Sequence, residues 1–433
     1  MKRIQLDTMV FLLIIFVLGV TNIAIVNKPK ISELENRALK QKPQFSVAAL
    51  KSGSYFKDYS EYFTDTFILR DRLLKLSGDI RQILLSNSSG ARMVVSGKSE
   101  EIVSTVRENK TVNENGGNQK PASQSSPSKK QYNESDGVGY WLVMDGKAVE
   151  LFKFSKENFE YYARVLNMYN AKLGDKIPIY SLIAPTNSEF VQLKNYSGIT
   201  DSQNNAIDYL NSKFSSNITA VNAYDILNQH KNEYIYFRSD HHWTALGAYY
   251  AYSAFMQSKN EKPVPLEKYK TVKIDNFLGS SYSKTMDKSI EKNPDTINAY
   301  IPFTKYKYEM HHYYQHNEAE IIDMKYAQTK KDKYLVFLSS GDATWAVIKT
   351  DVKNGKKLLV VKDSYGNSFV PFLLPHYEEI YVIDPRFYDY DTIGKDVVGF
   401  IDSNGINEVL FVNYMENVNS KEFMSGVESL IKD

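Results

Sequence analysis

From Gly139 onward the chain alternates short apolar runs with helix-patterned ones, and this alternation constrains its fold more than any other feature. GYWLVMDGKAVELF is followed by KENFEYYARVLNMYNAKLG, KIPIYSLIAP, NNAIDYLNSKF and NITAVNAYDIL. Strand-like runs that keep giving way to helical periodicity build parallel strands joined by crossover helices. The C-terminal part repeats the theme with KKLLVVKDS, GNSFVPFLLPHY, EEIYVIDP, NEVLFVNY and a closing helix, SKEFMSGVESLIKD. The expected architecture over 138–433 is therefore a three-layer α/β domain with a mainly parallel central sheet. A Lys- and Tyr-rich stretch at about 260–333 interrupts the alternation and reads as an irregular insertion.

Three segments precede this domain. Met9–Val26 (MVFLLIIFVLGVTNIAIV) is a single apolar run behind Lys2 and Arg3. It is expected to be a transmembrane anchor within 1–30, with a cytoplasmic stub and the remaining chain extracytoplasmic. The predicted location is a single-pass cell-membrane protein, and a cleaved signal peptide is the alternative. Residues 31–95 place Phe63, Phe67, Leu69, Leu73, Leu74, Leu76 and Ile80 at mainly helical intervals, a helical segment expected to pack on the main domain. Residues 96–137, including GGNQKPASQSSPSKK, have few apolar side chains to offset the entropy of ordering and read as a disordered insertion. No repeat is visible, which argues against solenoids and propellers.

Composition narrows the chemistry. The 433 residues are 42% hydrophobic, enough for a sizeable core, and 53 basic against 51 acidic residues give no global electrostatic reason to bind nucleic acid. There is no cysteine, which excludes disulfides, thiolate metal sites and a cysteine nucleophile.

Two short stretches carry candidate catalytic groups. In SDHHWTALGAYYAYSAF, residues 239–255, Ser239 or Asp240 is expected to cap a helix. Asp240 and His242 suit an orienter and a general base, because a carboxylate fixes the imidazole tautomer and stabilises the imidazolium formed when a hydroxyl is deprotonated. KLLVVKD, residues 357–363, reads as a buried strand running into Ser364-Tyr365-Gly366-Asn367-Ser368 and a helix. That strand-turn-helix placement makes Ser364 the candidate nucleophile, with its backbone N–H beside the acyl oxygen. Taken singly, Asp240 and His242 also fit a cap and a packed ring, and Ser364 an ordinary polar turn.

DHHW at 240–243, KDS at 362–364, ELENRALKQKP at 33–43, FTDTFILRDRL at 63–73, FLGSSYSK at 277–284 and VIDPRFYD at 382–389 together resemble the DHHW protein family. That family is similar to the SGNH-hydrolase-like proteins that O-acetylate alginate and other exopolysaccharides. The resemblance implies that Asp240 orients, His242 is the base and Ser364 the nucleophile, in the order of the alginate-type relatives. It also implies a polysaccharide acceptor, an acyl donor delivered by a multispanning membrane acyltransferase, and no cofactor. Where SGNH enzymes have Gly-Asp-Ser, this chain has Lys362-Asp363-Ser364, and the separate oxyanion asparagine has no clear match. Candidates for oxyanion or substrate contacts are Gly279, Asn187 and Arg386, with Arg386 fitting a structural ion pair equally well.

Other functions fit parts of the pattern. The same triad with water as acceptor is a carbohydrate esterase, and the scaffold without catalysis is a glycan-binding or assembly protein. Asp240, His241, His242, His311, His312 and His316 include metal-ligand types, but no zinc spacing is present and no metal is expected. His312 and His316 are spaced to share a helical face, but the surrounding YEMHHYYQHNEAE reads instead as a solvated aromatic-polar surface.

Overall fold

The computed structural model describes residues 2–25, 27–32, 37–85, 91–96, 139–193, 196, 198–312, 315–388 and 396–431. All but the first residue of the expected disordered insertion at 96–137 lies outside them.

Eight strands form the central sheet: β1 (Ile179–Ala184), β2 (Ile218–Val221), β3 (Tyr306–His312), β4 (Gln315–Ala319), β5 (Trp345–Thr350), β6 (Lys357–Lys362), β7 (Glu379–Ile383) and β8 (Glu408–Tyr414). Their order is β4-β3-β5-β7-β6-β8-β1-β2. From β7 to β2 every pairing is parallel, whereas β7–β5, β5–β3 and β3–β4 are antiparallel. The sheet is thus mixed, which corrects the expectation of a mainly parallel one. The cause is the 260–333 stretch, which contains a hairpin, β3–β4, whose first strand pairs with β5 and extends one edge of the sheet. The same stretch also contains an antiparallel pair, Lys270–Phe277 with Asp295–Ile301, so it is more regular than its composition suggested.

The parallel strands form where continuous apolar runs occur. Leu358, Leu359, Val360 and Val361 of β6 are all fully buried although successive side chains point to opposite faces, so both faces of the sheet are covered. Helix Lys156–Leu173 packs with Lys421–Ser429, and helix Ala245–Ser258 packs with the short helix Tyr365–Phe369 that follows β6. A separate three-stranded antiparallel sheet joins Arg92–Ser96, Gly139–Met144 and Lys147–Glu150. Helices Val47–Ser52, Ser54–Asp65 and Arg70–Leu85 fill much of the N-terminal segment, and the last meets the main body through Lys75–Glu291 and Lys288–Asp79, each 3.1 Å.

The expected anchor is corrected. Among the described residues no helix is long and apolar enough to cross a membrane. The first helix, Lys2–Ala24, opens with Lys2, Arg3, Gln5 and Asp7. Its unbroken apolar stretch, Met9–Val20, rises roughly 18 Å against a hydrocarbon core of about 30 Å. Thr21 and Asn22 then end the stretch, and Asn22 is buried, its Oδ1 accepting from Lys28 Nζ at 2.6 Å and from the Ile68 N–H at 3.0 Å. Single-pass anchoring at the cell membrane is therefore not supported.

Candidate active site

Ser364 sits two residues beyond the end of β6, at the C-terminal edge of the parallel block, where open α/β sheets place their ligands. It opens the helix Tyr365–Phe369. The preceding Asp363 fixes this turn: its carboxylate accepts from the Tyr365 N–H at 3.0 Å, the Tyr414 N–H at 2.6 Å and Asn417 Nδ2 at 3.0 Å, tying the ends of β6 and β8 together. Burial nevertheless pushes the Asp363 carboxyl above its ordinary range.

Asp240 and His242 lie in the turn before helix Ala245–Ser258, not within its first turn. Thr244, rather than Ser239 or Asp240, caps that helix through the Gly247 N–H at 3.3 Å. The turn is instead held by fully buried Asp295, which accepts from the Ser239 N–H at 2.7 Å, Ser239 Oγ at 2.5 Å and Arg238 Nε at 3.1 Å. Freed from capping, Asp240 faces His242: Oδ1 lies 2.5 Å from Nδ1 and 2.9 Å from the His242 backbone N. A carboxylate accepts, so Nδ1 carries the proton and Nε2 presents a lone pair. Nε2 lies 2.8 Å from Ser364 Oγ, whose O–H donates to it.

The second oxygen of Asp240 accepts from the Ser280 N–H at 2.7 Å. Gly279 lets this happen: a Cβ there would lie 2.2 Å from Asp240 Oδ2. Burial alone would raise the Asp240 carboxyl, but the His242 and His241 rings and the His242 hydrogen bonds outweigh it and hold the carboxyl well below the carboxylate range. Asp240 is thus an anion at any working pH.

Aromatic rings fix the imidazole and the nucleophile to each other. Tyr334 stacks on His242 with ring centroids 3.9 Å apart and planes 8° from parallel, while its hydroxyl donates to the Ser364 carbonyl at 3.0 Å. Trp243, fully buried, donates from Nε1 to the Tyr365 carbonyl and to Ser368 Oγ, both at 3.1 Å. The DHHW tetrad therefore supplies both the relay and the tie to the serine's helix. His241 Nδ1 is 2.5 Å from Ser280 Oγ, and burial together with the neighbouring His242 pushes its ring down to about 4, so it is neutral near pH 7. Tyr334, Trp243, Ser280 and Asp295 were not legible as site residues. Trp243 stood inside the DHHW motif but read as one face of a helix, Ser280 lies in FLGSSYSK without being singled out there, and Tyr334 and Asp295 belong to no motif.

The structure brings Asp240, His242 and Ser364 together and leaves the remaining candidates apart from them or otherwise engaged. Gly279 packs on the Asp240 carboxylate rather than beside Ser364 Oγ. Buried Asn187 donates to the Ala148 carbonyl at 2.9 Å and accepts from the Glu150 N–H at 3.3 Å, fastening the small sheet. Arg386 makes a two-pronged pair with Asp384, at 2.9 and 2.7 Å. Ligand-type atoms of Asp240, His241 and His242 lie within 4.8 Å of one another, but the hydrogen bonds above already engage each residue. His312 and His316 share no helix; they lie on the antiparallel strands β3 and β4, where His316 faces His311 across the pair.

No curated protein matches the chain. Among solved structures it is similar to a DHHW family protein from Eubacterium siraeum DSM 15702, with 31% identity, 67% of this chain and 95% of that chain covered, and a TM-score of 0.58. It is also similar to Bacillus cereus PatB1 with a sulfonyl adduct, at 20% identity, 66% and 98% coverage and a TM-score of 0.56. The model of the DHHW protein family matches residues 83–383, a span that contains the relay and most of the central sheet. The chain belongs to the DHHW protein family.

Proposed function

We propose that the chain is a serine acyltransferase, an O-acetyltransferase that modifies a polysaccharide through an acyl-Ser364 intermediate. The observation that carries this reading is the continuous relay from Asp240 through His242 to Ser364 Oγ, at 2.5 and 2.8 Å. In the first step His242 Nε2 takes the Ser364 proton as Oγ bonds to the acyl carbon of the donor. The donor's C–X bond breaks and the leaving group departs with the proton from His242. In the second step His242 deprotonates a sugar hydroxyl, which bonds to the acyl carbon; the bond to Oγ breaks and Ser364 regains its proton. Asp240 stays ionised throughout and stabilises the transient imidazolium. Water in place of the sugar gives hydrolysis. The proposed donor is supplied by a multispanning membrane acyltransferase, as the family resemblance implies.

The test is turnover of p-nitrophenyl acetate, with and without oligosaccharide acceptors, by wild type, Ser364→Ala and His242→Ala. Loss of activity by about a thousandfold or more in folded variants is expected. Equal turnover by all three proteins contradicts the relay.

A further inference from the structure

The first imidazole of the DHHW motif takes no part in the relay, yet it lies directly against it. The His241 and His242 ring centroids are 3.9 Å apart, and His242 Nε2 is the atom that meets Ser364 Oγ. Tyr365 Oη donates to the His241 carbonyl, and the His241 ring lies 5.4 Å from that of Tyr414, centroid to centroid. Ser280 Oγ meets Nδ1 at 2.5 Å. The other ring nitrogen is uncommitted: the side chain is 25% exposed, and Nε2 reaches solvent with no partner among the described residues.

Tyr414 ties a carboxylate into the same neighbourhood. It ends β8, beside the end of β6 from which Ser364 follows, and its ring stacks on Tyr365 with centroids 4.6 Å apart. Its hydroxyl donates to Glu150 Oε2. Glu150 closes the strand Lys147–Glu150, which Asn187 fastens by accepting from the Glu150 N–H. The Glu150 side chain is half-buried, and its Oε1 likewise reaches solvent without a partner among the described residues. The Glu150 charge acts on the His241 ring, so the two groups are neighbours.

An imidazole and a carboxylate, each held by the protein at one atom and open at another, suit sugar hydroxyls, which both donate and accept. His241 is neutral near pH 7, so it pairs with a hydroxyl and offers no charge to an anion. The surrounding acids favour the same kind of ligand. Glu150, Asp240 and Asp363 all act on the Tyr365 hydroxyl within this cluster, whereas Lys362 and Arg386, at the neighbouring strand ends, are both paired with Asp384. A uronate carboxylate brought here therefore meets like charge.

We propose that His241 and Glu150 form the acceptor subsite, and that it takes an uncharged sugar rather than a uronate. This rests on the acyl-transfer reading. One sugar hydroxyl gives its proton to His242 Nε2 as its oxygen bonds to the acyl carbon. The bond from that carbon to Ser364 Oγ breaks, and Oγ regains the proton. Hydroxyls beside the reacting one bind His241 Nε2 and Glu150 Oε1, which lets the sugar outcompete water for the acyl-enzyme. The two histidines of the motif divide the work: His242 moves the proton and His241 holds the acceptor.

The test gives the full chain p-nitrophenyl acetate together with neutral pentasaccharides of glucose or N-acetylglucosamine, or with pentagalacturonate, in wild type, His241→Ala and Glu150→Gln. The readout is the ratio of acetylated sugar, by mass spectrometry, to acetate released above the uncatalysed level. This ratio compares two fates of one acyl-enzyme, so it is independent of how fast that intermediate forms. Wild type is expected to favour a neutral acceptor over pentagalacturonate by about tenfold or more. His241→Ala is expected to lower the ratio for that acceptor about tenfold, and Glu150→Gln to narrow the preference over the uronate by about threefold or more. Circular dichroism checks each fold, and Glu150→Gln, which keeps an acceptor for Tyr414, serves on its own if His241→Ala does not fold. Equal or greater transfer to pentagalacturonate by wild type overturns the assignment, as do ratios in the folded variants within about twofold of wild type. A wild-type acetyl-enzyme that passes its group only to water overturns it as well. If wild type forms no acetyl-enzyme by intact mass, the acyl-transfer reading itself fails, and this assignment with it.

Discussion

At the residue scale, the relay depends on how closely other groups approach Asp240. Gly279 is conformationally ordinary, yet its missing side chain is what admits the carboxylate. Gly279→Ala is therefore expected to displace Asp240 and slow acylation by about 100-fold, because misplacing a catalytic group by about 1 Å costs that much. Stopped-flow acylation checks this, and a wild-type rate contradicts it. Trp243→Phe keeps an aromatic ring but removes both Nε1 donations, taking this donor from Tyr365 O and leaving Ser368 Oγ with Tyr334 Oη. It is expected to cost about 1–3 kcal/mol, read from urea unfolding midpoints. Asp240, His242 and Ser364 were legible because each stands in a short motif with a defined chemical order. Tyr334 was not, since a tyrosine stacked on an imidazole leaves no mark in a region already rich in tyrosine. The Asp295 clamp was equally invisible, lying 55 positions downstream of Asp240.

At the element scale, the parallel block was legible and the antiparallel edge was not. The strands β6, β7 and β8 are continuous apolar runs because both of their faces are buried. Strand β4 is QHNEA, exposed along most of its length, and nothing in its composition distinguishes it from a loop. Its strand state comes from pairing with β3, a tertiary contact that local propensity does not encode. Helix Ala245–Ser258 was legible in its body but not at its start, because Ser239, Asp240 and Thr244 are all good caps and only one is free to act. Thr244→Ala is expected to cost about 1 kcal/mol in thermal unfolding while leaving the relay distances intact. A loss of acylation without a loss of stability contradicts that division of labour.

At the scale of the whole molecule, acid sensitivity follows from buried rings. Burial pushes His376 down to about 4, and its Nε2 accepts from Tyr252 Oη at 2.6 Å. An unfolded histidine titrates near about 6.5, so the unfolded chain binds the proton more readily. This contribution to stability is complete above about pH 6.5 and is lost as pH falls toward about 4. Urea midpoints are expected to decline over that window, and to decline less steeply in His376→Gln; equal slopes contradict the assignment. The N-terminal helix shows the reverse limit of sequence reading. Its apolar composition suggested a span, whereas its unbroken apolar length is short and its far end is tied down through Asn22.

The central claim is that Ser364 carries the acyl group. The most direct measurement is peptide mapping by mass spectrometry after brief exposure of the protein to an acetyl ester at neutral pH, comparing wild type with Ser364→Ala. The account predicts one acetyl group on the peptide containing Ser364 in wild type and none in the variant. An adduct on another residue, or one that survives in Ser364→Ala, contradicts it.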